Sequence, residues 1–259
     1  MVVLLAVDIG NTNVHLGLYH QDAWVHAWRM RTVADKMPDE YAATVYTFFN
    51  QAALSFDQIT GVVISSVVPR LTSTFVEMAE RSLGQQAVVV GAPGVQSGIR
   101  VDVDAPHEVG ADRIVNAAAV HHLYGGPAIV IDFGTATTFD AISADGAYLG
   151  GAIAPGIGIS HDALVAHTAQ LYKVALEPPP SPIGRSTVQA MQSGLFLGYI
   201  AMIEGLVARL LAALDESAKV IATGGLATLI AQHTTAIEQV APFLTLDGLR
   251  IIYALNTRE

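Results

Sequence analysis

Residues 7–19 read VDIGNTNVHLGLY, and residues 131–143 read IDFGTATTFDAIS. Each stretch continues an apolar run (Leu4 to Val7; Ile129 to Ile131), reaches Asp-x-Gly, and passes into small hydroxyl or amide residues. A buried strand that brings a carboxylate to a tight glycine turn lined with N–H and O–H donors suits Mg²⁺-bound phosphate. Two copies half a chain apart imply a duplicated domain closing on one nucleotide. The pattern points to phosphoryl transfer.

Working outward from the first copy, strands are expected at Val2–Asp8, Asn13–Tyr19 and Ala23–Arg31. A helix capped by Asp39 follows over Glu40–Leu54, then a strand over Gly61–Val67 ended by Pro69, a helix over Leu71–Leu83, and a strand over Ala87–Val90. The second copy starts the same order again: strands at Ala128–Asp132, Thr137–Ser143 and Ala147–Ala154, then helices, a strand at Val220–Thr223, and a helix from Leu226. VVISS (62–66) thus has its counterpart in VIATG (220–224). This repeat predicts an α/β protein with a mixed sheet in each half. A helix over Glu108–Tyr124 joins the halves, which divide as 1–112 and 113–259.

The second half also carries a helical insertion at about 157–214. Pro178 to Pro180 and Pro182 form a stiff connection, and Thr187 to Leu214 reads as one long apolar helix with Gly194 and Gly198 on one face. A helix apolar nearly all round is covered either by a second subunit or by the protein's own core.

Composition narrows the function. The chain has 259 residues, 52% hydrophobic and 14% charged, which excludes a disordered protein. Its formal charge of −10 comes without a basic run, which argues against nucleic acid or an anionic membrane surface as partner. With lysine only at 36, 173 and 219, phosphate charge must be met by backbone N–H groups, a metal ion or another cation, and arginine. The absence of cysteine removes disulfides, thiolate zinc sites and cysteine nucleophiles. No signal-peptide pattern opens the sequence, and the most apolar stretch, Leu195 to Ile203, is shorter than the ~20 residues of a membrane span. A cytoplasmic location is expected.

In the first turn, Gly10 lets phosphate approach, Asn11, Thr12 and Asn13 supply donors, and Asp8 would orient Mg²⁺ through water. The tripeptide Asp132-Phe133-Gly134 is not a protein-kinase signature, since neither the strand lysine nor the catalytic loop accompanies it. Between the two motifs lies Glu108-Val109-Gly110-Ala111-Asp112-Arg113. Asp112 beside Arg113 suits a general base next to an anion-binding guanidinium, but the pattern alone fits better a helix-dipole carboxylate with its surface partner. The glycine passage 150–158 and Thr223-Gly224-Gly225 either receive phosphate or ribose or permit close packing. The nine histidines form no ligand set.

Taken in order, VDIGNTN, EVGADRIVNA, VIDFGTATTFD, GGAIAPGIGIS, IGRSTVQAMQSG and ATGGLA resemble type III pantothenate kinase across nearly the whole chain. The resemblance implies two ribonuclease-H-like domains of the acetate and sugar kinase/heat-shock protein 70/actin superfamily, with flanking helices and a homodimer. It implies ATP with Mg²⁺, pantothenate as acceptor, and the first step of coenzyme A biosynthesis. Asp8, Ile9, Gly10, Asn11, Thr12, Asn13, Val14 and His15 would form the ATP phosphate loop, which Thr135 also touches. Asp112 would be the base, in a pantothenate pocket with Gly110, Ala111 and Arg113. Asp132 would hold a monovalent cation, K⁺ or NH₄⁺, and Thr187 would reach pantothenate across the dimer. Two positions depart from the family pattern: Val103 stands where tyrosine is usual, and Ser186 where asparagine is usual in the segment preceding Thr187. The same family includes Bvg accessory factor, named for an effect on transcription, and the superfamily includes phosphatases.

Overall fold

A computed structural model describes residues 3–214 and 217–257. The chain opens with β1 (Leu4–Ile9), β2 (Asn13–His20) and β3 (Ala23–Arg31), followed by α1 (Pro38–Gln51), β4 (Gly61–Ser66), α2 (Pro69–Leu83), β5 (Ala87–Val89) and α3 (Ala111–Tyr124). It continues through β6 (Ala128–Phe133), β7 (Ala136–Ile142), β8 (Tyr148–Pro155), α4 (Ile157–Ala166), α5 (Thr187–Gln192) and α6 (Gly198–Leu214). Then come β9 (Lys219–Gly224), α7 (Ala227–Ala231), β10 (Gln239–Val240) and α8 (Leu244–Thr257). Val2, expected at the start of the first strand, lies outside the described residues.

Two units result, each with one five-stranded sheet. The first sheet runs β3-β2-β1-β4-β5 and the second β8-β7-β6-β9-β10, so the duplication read in the sequence is a duplication of topology. In both, the motif strand is central, antiparallel to the next strand and parallel to the strand that follows the helices. β1 is buried on both faces, which is why it reads as a continuous apolar run. Leu5, Val7 and Ile9 pack with Tyr41, Phe49, Leu71 and Phe75 from α1 and α2. Leu4 and Ala6 pack with Val115 and Ala118 of α3 and Leu246, Leu249 and Ile252 of α8.

The expected division at 112/113 is replaced by a different one. The first unit takes everything up to Tyr124 together with the stretch from Phe243, and the second is Gly125–Pro242. The cause is packing. α3 presses Val115 and Ala118 into the first core, and Asn116 Oδ1 accepts a 2.8 Å bond from Thr245 Oγ1 of α8. α3 is therefore a wall of the first unit, preceded by a single 3₁₀ turn at Pro106–Glu108. The cap of α1 also moves: Met37 is the cap, Pro38 takes the first helical position, and Glu40 Oε2 accepts from Met37 N–H at 2.8 Å. Proline has no N–H to leave orphaned there, so Asp39 falls inside the first turn.

The long helix of the second unit runs from Thr187 to Leu214 with one π turn at Ser193–Leu197. Its 28 residues are long and apolar enough to cross a membrane by length and composition, which the shorter unbroken apolar run did not suggest. One face is committed to the core of its own unit through Met191, Phe196, Tyr199, Ile200, Ile203 and Val207. That face packs with Ile129, Ile131 and Phe133 of β6, while only 28% of the helix's most apolar stretch is buried within the chain.

Candidate active site

In the first unit, the Asp-x-Gly turn is built on the end of β1. Gly10 N–H donates to Asn13 O at 3.0 Å, and the turn is strapped to the end of β3 by Thr32 Oγ1 on Gly10 O (2.6 Å) and Thr32 N–H on Thr12 O (2.9 Å). Asn11, Thr12 and Asn13 are exposed at the tip. Ile9 and Val14 are opposite one another in the ladder and fully buried, so they offer the loop only backbone. His15 faces Asp8 on one side and Arg29 on the other. Burial, and then the Arg29 charge, lower its pKa to about 4, so the imidazole is neutral near pH 7.

Asp8 follows Leu4 and Ala6 on the α3/α8 face of the sheet, and on that face α3 begins. Asp112 Oδ1 accepts the Arg113 N–H at 2.8 Å. Burial raises the Asp112 carboxyl above its ordinary pKa, while that N–H and the Arg113 charge pull the other way. A carboxylate in such surroundings is a stronger base than a solvated one. Gly110 makes the approach possible: a Cβ there would stand 2.5 Å from Asp112 Oδ1 and 3.4 Å from Val67 Cγ1. Beside Gly110 and Ala111 is a hollow of about 430 Å³, lined also by Ser66, Val67, Pro69, Val90, Gly91, His107, Glu108, Val109 and Ile114. Its volume falls within the range of small-molecule sites.

These lining residues from β4 and the segment after β5 were not read from the sequence. The available signal was Ser65-Ser66 at the carboxyl end of a buried parallel strand, where ligands of α/β sheets collect. Val103, the departure noted above, is not among the residues lining the hollow.

In the second unit, Gly134 N–H donates to Ala136 O at 3.0 Å, and Gly156 N–H donates to Thr135 O at 3.1 Å. Asp132 Oδ1 lies against Gly224, which has φ 90° and where a Cβ would approach to 2.5 Å. Tyr199 OH is hydrogen-bonded with Thr137 Oγ1. Burial raises its pKa, and the Asp132 charge adds to the rise. Thr187 is exposed at the first position of α5, after the cap Ser186, whose Oγ accepts Gln189 N–H at 3.3 Å. Asp8, Gly110 and Asp112 thus belong to the first unit, and Asp132, Thr135 and Thr187 to the second. Among the described residues, no three His, Asp or Glu side chains form a metal-ligand cluster.

Two sheets of one topology, each with a carboxylate and a glycine turn at the end of its central strand, make this an α/β protein built of duplicated mixed sheets. Solved structures agree. A Campylobacter jejuni structure described as a Baf family transcriptional activator has a TM-score of 0.61 at 19% identity, covering 97% of this chain and 98% of that one. The inorganic polyphosphate/ATP-glucomannokinase from Arthrobacter sp. strain KM has a TM-score of 0.52 at 14% identity, covering 98% and 99%. Sequence relatives decide the family. Type III pantothenate kinase from Moorella thermoacetica is 51% identical over 255 residues, 98% of this chain and 100% of the relative. That from Brevibacillus brevis is 47% identical over 254 residues, 98% and 99%. The family model for type III pantothenate kinase matches residues 4–209. The chain belongs to the type III pantothenate kinase family.

Proposed function

We infer that this protein transfers the γ-phosphoryl group of MgATP to the primary alcohol of pantothenate, giving 4′-phosphopantothenate, the first step of coenzyme A biosynthesis. One observation carries the site assignment: in a chain of this family, the Asp8 turn and the Gly110–Asp112 segment lie on one face of the same sheet. Asp8, Ile9, Gly10, Asn11, Thr12, Asn13, Val14 and His15 form the loop around the ATP phosphates. Asp8 holds Mg²⁺ through its water, as a lone carboxylate beside phosphates does. Asp112 takes the hydroxyl proton, the alcohol oxygen bonds to the γ-phosphorus, and the bond to the β,γ-bridging oxygen breaks to release ADP. Positioning and charge neutralisation supply most of the acceleration.

Gly110, Ala111 and Arg113 line the pantothenate pocket, and the hollow beside Gly110 has room for such a molecule. Asp132 holds a monovalent cation, K⁺ or NH₄⁺, which supplies positive charge in a chain poor in lysine, and Thr135 touches ATP. The long helix pairs two copies of the chain. Gly194 and Gly198 support this, since a Cβ at either would meet nothing within 4 Å and leaves room for a partner backbone. Thr187 then reaches pantothenate of the other subunit. The enzyme works in the cytoplasm.

The test is ADP formation from MgATP with and without pantothenate, in K⁺ and in Na⁺. Turnover that needs both pantothenate and K⁺ is expected, from a particle of twice the chain mass. Turnover without pantothenate would indicate a hydrolase, and no turnover by a folded, ATP-binding protein would favour a regulatory role.

A further inference from the structure

Ser65 sits in β4 among Val62, Val63 and Ile64, all fully buried, and is itself wholly buried. Its Oγ has no hydrogen-bond partner. A buried hydroxyl left unbonded costs about 1–3 kcal/mol, and alanine would fill the same place without that cost. The neighbouring serine is different. Ser66 Oγ donates to Val68 O and accepts from Val68 N–H, both at 3.1 Å, and so closes the turn into α2.

The position of Ser65 supplies a reason for its hydroxyl. It is the register partner of Asp8 on the adjacent parallel strand, and so shares a face with that carboxylate. Two residues further along the ladder, Val67 meets Gly110 beside Asp112. The second sheet repeats the arrangement: Thr223, also buried, is the register partner of Asp132. A hydroxyl therefore stands beside the motif aspartate in both sheets. Adjacent strands are about 4.8 Å apart, so rotation about χ1 brings a short hydroxyl and a neighbouring carboxylate within hydrogen-bond reach.

We propose that Ser65 is a positioning residue for phosphoryl transfer: when nucleotide binds, its Oγ–H donates across the ladder to the Asp8 carboxylate and fixes the orientation in which Asp8 faces the nucleotide. This rests on the reading of Asp8 as part of the ATP loop. Direct contact with substrate is not required of Ser65, and the pantothenate pocket is not affected.

The test compares Ser65→Ala with wild type in the full chain by thermal unfolding, MgATP calorimetry and steady-state kinetics. Expected for Ser65→Ala are an equal or higher Tm, a Kd and KM for MgATP raised about 10–100-fold, as loss of one hydrogen bond to a charged group gives, and an unchanged KM for pantothenate. Ser65→Thr, which keeps the hydroxyl and matches the second sheet, should restore MgATP affinity. A raised Tm with MgATP affinity and turnover unaltered would show the hydroxyl to be idle and overturn the proposal. A lowered Tm with both substrates weakened alike would make Ser65 structural and overturn it too. Wild type that binds MgATP but does not phosphorylate pantothenate would sink the activity reading alone, because calorimetry still decides Ser65. Wild type that fails to bind MgATP would sink this proposal with the nucleotide assignment.

Discussion

The two Asp-x-Gly turns begin alike and end differently. In each, the glycine N–H donates back across the turn at 3.0 Å, to Asn13 O in the first and Ala136 O in the second. β1 ends at Ile9 and β2 opens at Asn13, whereas β6 ends at Phe133 and β7 opens at Ala136, so the first turn is one residue longer. The extra residue leaves Asn11, Thr12 and Asn13 at an exposed tip, a run of hydroxyl and amide side chains where an anion can approach. The second turn is pinned from behind. A Cβ on Gly156 would stand 2.4 Å from Thr135 O and 2.7 Å from Gly134 O, so backbone packs directly on backbone. Duplication has kept the central strand, its carboxylate and its glycine, and divergence lies in what the turn touches. On this reading the first turn meets the phosphates through a row of donors, while the second meets ATP through Thr135 on a loop braced from behind.

The largest expected effect tests whether chemistry resides in the first unit with the open turn. Asp112→Asn should lower kcat by about 10²–10⁴, the range a general base contributes, with MgATP affinity retained by calorimetry. Near-normal turnover would remove Asp112 as the base. Because burial raises the Asp112 pKa, the acid limb of kcat/KM should fall at a pH above the ordinary aspartate value of 3.8. The stability sign follows from the same shift. A carboxyl whose folded pKa is raised favours the fold while protonated and loses that contribution as pH rises through the folded value. Asp112→Asn should therefore unfold at a higher temperature than wild type at pH 7 while turning over far more slowly.

A pair of alanine substitutions separates binding from bracing. Gly156→Ala forces a methyl onto two carbonyl oxygens that cannot move aside, and should cost about 1–3 kcal/mol in urea unfolding. Gly10→Ala meets only Asn13 O, at 3.2 Å, and should cost less stability while raising the KM for MgATP. Equal losses of stability in the two variants, with MgATP binding untouched in Gly10→Ala, would break the comparison.

The frame the two turns share was legible in the sequence because it rests on local chemistry. Asp-x-Gly after an apolar run marks a strand and a turn wherever the chain goes, and its repetition marks a duplicated sheet. Tertiary packing was not legible. The sequence reading makes α3 a joint between halves, but its attachment depends on α8, whose Thr245 lies 129 residues beyond its partner Asn116 and which no local motif announces. The hollow was missed for a related reason: β4, the segment after β5 and the start of α3 contribute to it from separate places in the chain. The π turn in the long helix also leaves the apolar pattern unbroken, so nothing in the periodicity of 187–214 signals it.

An effect confined to acid pH, and absent near pH 7, concerns His15, the titratable neighbour of Asp8 on β2, whose register position is taken by Thr138 beside Asp132 in the second sheet. The folded state holds His15 at about 4 against an ordinary 6.5, so folding favours the neutral ring. That contribution is fully present above pH 6.5 and is lost as pH falls toward 4, because the unfolded chain takes up the proton first. Between pH 7.5 and 4.5 the loss should reach about 2–3 kcal/mol, from a linkage of 1.36 kcal/mol per pH unit. His15→Gln carries no such proton, and its urea midpoint should fall less over that interval. Parallel pH dependence in the two proteins would mean that Arg29 and burial do not hold the ring neutral beside Asp8. The first turn would then differ from the second in its donors alone, with no added titration beside its carboxylate.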